Sequence, residues 1–63
     1  MRQTHFWDRM REQLGPLTDS FAQDHVLGQL GQRTVNQALA QGEEAKDVWV
    51  AVCRELELPK SRW

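Results

Sequence analysis

Apolar residues recur along this chain at three- and four-residue intervals, the spacing of one helix face, in four separate stretches. The first covers 5–14, where Phe6, Trp7, Met10 and Leu14 share a face. Thr4 stands where its hydroxyl can accept an orphan backbone N–H and cap that helix. Gly15-Pro16 closes it, because Pro disfavours helical geometry at the residue before it. The same Pro suits the first turn of a second helix, predicted over 16–30, where a missing N–H costs nothing. Phe21, Ala22, Val26 and Leu30 form its apolar face, with Leu17 and Leu27 towards the edges. Gly28 weakens its last turn.

Gly31-Gln32-Arg33 reads as a turn. Thr34 and Gln37 then have the spacing of a capping box, in which two orphan donors are satisfied reciprocally. A short third helix over 35–41 carries Val35, Ala38 and Leu39 on one side, and Gly42 supplies a left-handed end. The fourth stripe is the cleanest: Ala45, Val48, Trp49, Val52, Cys53 and Leu56 predict a helix over 44–57. Glu43, Glu44 and Asp47 lie at its positive end, where negative charge is favourable. Pro59 is expected to stop it, leaving 59–63 as a tail. No alternating strand pattern is present. The predicted fold is all-α, a compact bundle of three to four short helices forming a single domain over 1–63.

Length makes packing critical. The chain has 63 residues, fewer than the roughly 70–80 at which one apolar core gives a comfortable margin. Cys53 is the only cysteine, so no disulfide can form within the chain, and a reducing, cytoplasmic setting is expected. Residues 1–5 are not followed by the roughly 7–15 apolar residues of a signal peptide. No run approaches the roughly 18 of a spanning helix. A soluble protein without membrane contact is expected.

Eight Lys and Arg against nine Asp and Glu give a net charge of −1, which supplies no long-range attraction for nucleic acid. Candidate chemistry is thin. Cys53 lies in the fourth apolar stripe, where a thiol behaves as a small hydrophobe. His5, His25, Cys53 and Asp24 show no zinc-type spacing, so neither a metal nor another cofactor is expected. His25 borders the second helix's apolar face and suits a hydrogen bond to a carbonyl or a neighbouring helix end. A catalytic triad is not visible, and a non-enzyme is expected.

The chain resembles a family of small actinobacterial proteins classed as a domain of unknown function. The likeness runs through His5-Phe6-Trp7 with Met10, Gly15-Pro16 and Asp24-His25-Val26-Leu27. It continues through Gly31, Arg33-Thr34-Val35 and Ala38-Leu39, then Lys46-Asp47-Val48-Trp49 with Ala51 and Cys53. Ala45 stands where that family often has Pro, a difference in helix capping alone. Such proteins are often encoded near the recombinase RecA and its regulator. The resemblance therefore implies a link to DNA repair and no particular activity.

Two binding surfaces follow from the residues. Trp63 ends the chain beside Arg62, outside the helical stripes; it either folds back on the bundle or offers, with Arg62, a pair of hot-spot residue types. Val50 lies off the fourth stripe and would extend such a patch towards a protein partner. Alternatively, helices two and three form a helix-turn-helix-like unit. Its second helix would present Asn36, Gln37 and Gln41 to adenine edges, with Arg33 for a phosphate. Helix three contains no Lys or Arg, which weighs against the nucleic-acid reading. The expected function is a non-catalytic adaptor or regulatory module.

Overall fold

In the computed structural model, which describes residues 1–63, the stripes become four α-helices. These are α1 (Gln3–Leu14), α2 (Thr18–Asp24), α3 (Val35–Ala40) and α4 (Ala45–Glu55). Single 3-10 turns occupy Gly15–Leu17, Gly28–Leu30 and Lys60–Arg62. The all-α class is the one expected; the only β-type pairing is an isolated bridge between Leu27 and Arg33.

The core forms around α4, whose Ala45, Val48, Trp49, Ala51, Val52 and Cys53 are buried. Phe6 and Met10 reach it from α1, Ala22 from α2, Leu27 and Leu30 from the following turn, and Val35 and Ala38 from α3. Phe6 presents its ring edge-on to Trp49, with centroids 6.3 Å apart and planes at 88°. Such geometry sets the positive edge of one ring against the negative face of the other. Trp7 packs edge-on to Phe6 at 5.2 Å but remains half-buried.

Three expectations from the sequence are corrected. Thr4 caps nothing, because α1 starts earlier and its N-cap is Arg2, without a side-chain bond. The helix expected over 16–30 exists only as Thr18–Asp24. Pro16 belongs to a separate tight turn, and the buried Thr18 hydroxyl donates to the Gly15 carbonyl at 2.8 Å. Beyond Asp24 the backbone is extended at His25 and Leu27. The Leu27 N–H donates to the Arg33 carbonyl at 3.0 Å, so the chain doubles back rather than coiling on. Extended backbone sends successive side chains to opposite sides. Leu27 is therefore fully buried while Val26, expected to face inward, is 50 % exposed.

The third correction concerns the end of α4. Pro59 does not stop it. The Leu58 N–H bonds the Cys53 carbonyl at 2.9 Å and the Glu57 N–H bonds Arg54 at 3.2 Å, a Schellman closure. Glu57 holds the left-handed position (φ 55°), which ordinarily falls to glycine. Gly42 plays the same part after α3, as expected, with φ 93° and bonds from Gly42 to Leu39 and Glu43 to Ala38. The capping box at the start of α3 is also present. Thr34 N–H donates to Gln37 Oε1 at 2.9 Å, and Gln37 N–H to Thr34 Oγ1 at 3.2 Å.

Candidate functional site

The closure at Glu57 turns the chain back towards α1, and the Lys60–Arg62 turn lays Trp63 against the bundle. Three hydrogen bonds hold it there. The Trp63 indole N–H donates to the Leu58 carbonyl at 3.0 Å, and the Trp49 indole N–H donates to the Trp63 carbonyl at 2.8 Å. Arg9 Nη1 reaches from α1 to the Arg62 carbonyl at 3.0 Å. Buried Trp49 thus uses its one polar atom to fix the tail, as a buried indole N–H requires a partner.

Cations gather on these two rings. The Arg9 guanidinium lies 5.9 Å from the Trp49 centroid. Arg54 and Lys60 lie 5.8 Å and 5.6 Å from that of Trp63. Arg62 is exposed beside them. Val50 is half-buried rather than exposed, one α4 turn before Arg54 and on the same side of the helix. Arg62 and Trp63 lie where the tail meets Arg9 and Arg54, and Val50 neighbours Arg54 along α4.

The residues singled out for nucleic acid are placed differently. Arg33 donates through Nε to the Leu30 carbonyl and through Nη1 to Gln41 Oε1, both at 2.6 Å, and its Nη2 is 3.7 Å from Glu43. Gln37 is held by the capping box. Of Arg33, Asn36, Gln37 and Gln41, only Asn36 has no side-chain bond within the chain. α3 itself is six residues long.

The family model described as "Protein of unknown function (DUF3046)" matches residues 1–61, nearly the whole chain. The chain belongs to the DUF3046 family. No curated protein and no solved structure matches it.

The DUF3046 fold also has a surface feature that the sequence did not disclose. An open groove of about 340 Å3 is lined by Leu14, Leu17, Ser20, Phe21, Asp24 and His25. His25 stacks on Phe21 with centroids 4.6 Å apart, and its Nε2 donates to Glu55 Oε2 at 2.9 Å, joining the end of α2 to the end of α4. A bond to a neighbouring helix end is what the position of His25 suggested; a carboxylate from thirty residues away was not readable. The Ser20 hydroxyl donates to the Leu17 carbonyl at 3.2 Å and makes no bond to His25. No three His, Cys, Asp or Glu side chains stand close enough to share a metal ion, and no helix is long and apolar enough to cross a membrane.

Cys53 of this DUF3046 chain is fully buried, and burial pushes its thiol pKa above the usual 9.0, against smaller opposite effects of Arg9 and the Cys53 backbone. In the native protein at neutral pH, alkylation of Cys53 is expected to occur only through unfolding, and rapidly once denaturant is added. Mass spectrometry of timed iodoacetamide reactions tests this; fast labelling of the native state would contradict it. The folded thiol keeps a proton that the unfolded thiol loses, so this contribution is complete at neutral pH and stability declines as pH rises past the ordinary thiol value.

Proposed function

We propose that this chain is a non-catalytic helical adaptor that binds another protein through the end of the molecule carrying Val50, Arg62 and Trp63. The observation that carries this reading is the tethering of the tail. Trp63 is held half-exposed by bonds from Trp49 and Arg9, so the surface is ordered before any partner arrives. Preordering removes part of the entropy cost of association, and Trp and Arg are the residue types most often dominant in interfaces. A regulatory role near DNA repair fits the recombinase association that the family resemblance implies, which makes RecA the first partner to try.

The test is a titration of isotope-labelled protein with RecA and, separately, with duplex DNA at low salt, followed by NMR. Shifts centred on Val50, Arg62 and the Trp63 indole with RecA are the expected result. Shifts confined to α3 and Arg33 on adding DNA would replace this reading with the helix-turn-helix-like one. Arg33, Gln37 and Gln41 are already occupied by intramolecular bonds, which is why the adaptor reading stands first.

A further inference from the structure

The tail-bearing end has a charge pattern that the whole chain does not. Half of the eight Lys and Arg residues (Arg9, Arg54, Lys60 and Arg62) collect around Trp49 and Trp63, in a chain whose net charge is −1. None of the four forms an ion pair. Of the acids near them in sequence, Asp8 lies 3.7 Å from Arg11 and Glu55 bonds His25 at 2.9 Å, while Glu12 and Glu57 are exposed and form no ion pair. The remaining ion pair, Arg33 with Glu43, does not involve them either.

A cation over an aromatic ring is held by the ring's electron-rich face without spending its N–H donors on a carboxylate. Arginine in that position keeps an edge of parallel N–H groups, the geometry that grips a carboxylate in two places. Arg54 is therefore oriented and still unsatisfied as an anion receptor. Lys60 and Arg62 add charge beside it, and Val50 supplies an apolar neighbour one turn away. Because two cations already lie over the Trp63 ring, that ring is not a bare platform for stacking a base, the usual basis of single-strand binding.

From this we infer that the occupant of the face is an acidic protein segment, whose carboxylates are received by Arg54, Lys60 and Arg62 and whose apolar residue meets Val50 beside Arg54. The inference rests on the reading of this end as the docking surface and adds the chemistry of what docks. A glutamate-rich peptide carrying one leucine is the probe, with a control in which every glutamate is glutamine and a thymidine single strand of equal charge. The expected result is movement of the Trp49 and Trp63 indole signals and of Val50 with the glutamate peptide alone, weakening as salt is added. Arg54 and Arg62 have exposed side chains, so the double variant Arg54→Glu/Arg62→Glu keeps the fold, checked by circular dichroism, and binds the peptide about tenfold more weakly or worse. Equal binding of the glutamine control, or unchanged binding by the double variant, would overturn the acidic partner. Tighter binding of the single strand at these signals would overturn both it and the protein-docking reading. RecA binding here with no response to salt or to the double variant would leave the docking face standing and remove the acidic occupant.

Discussion

Trp49→Ala is expected to leave a substantial fraction of the chain unfolded at room temperature. Trp49 is buried to 1 % exposure at the centre of the core, edge-on to Phe6 and bonded to the tail. Removing a buried Trp side chain costs about 3–5 kcal/mol. At the usual density of stability a domain of 63 residues has about 3–9 kcal/mol in total. The loss is thus comparable with the whole, and the thermal transition should fall by tens of degrees or vanish; each kcal/mol shifts a domain of this size by about 4–8 °C. Trp49→Phe separates the two duties of the side chain. It keeps an aromatic ring against Phe6 but removes the N–H that holds the Trp63 carbonyl, a bond worth about 1 kcal/mol, together with part of the buried ring volume. That variant is expected to remain folded while the Trp63 indole signal moves towards its solvent-exposed position. A Trp49→Ala protein melting within a few degrees of the parent would show that the core does not depend on this ring.

Arg33→Ala is expected to destabilise the fold by about 1.5–3 kcal/mol, the range for hydrogen bonds made by a charged group. The guanidinium gathers the Leu30 carbonyl, the Gln41 side chain and Glu43, and so ties the turn before α3 to the segment after it. Arg33→Lys keeps the charge but cannot serve three acceptors in a planar fork, and should recover only a minor part. Urea denaturation of the two variants gives both values. Unchanged stability in Arg33→Ala would mean that the fork contributes nothing to the fold, freeing Arg33 for an external phosphate.

Helices whose limits depend on their own residues were readable; the junctions were not. The stripe from Ala45 to Leu56 and the Thr34–Gln37 pair announce themselves, since periodicity and capping are local chemistry. The segment 25–30 misleads because Val26 and Leu30 happen to keep helical spacing with Phe21 and Ala22. What decides that segment is a backbone pairing between Leu27 and Arg33, formed across a turn, and Gly28 and Gly31 were its only trace. The end of α4 was hidden because Glu57 occupies a conformation normally marked by glycine. At the candidate site, Arg62 and Trp63 were legible as residue types, and Val50 as an off-stripe position. Their assembly with Arg9, Arg54 and Lys60 was not, because it depends on an indole–carbonyl bond and on an arginine 53 residues away in sequence.

That separation has a consequence for how the molecule comes into being. The helices meet their neighbours through short connections, and contacts between near neighbours close quickly because little chain entropy is lost. The Arg9–Arg62 clasp closes nearly the full length of the chain, and its acceptor is placed only once α4 has ended and turned. Tail docking is therefore expected to follow the packing of α1 against α4, since its donors Arg9 and Trp49 stand on those two helices. The Trp63 indole proton is then expected to exchange with solvent ahead of the core amides beneath it.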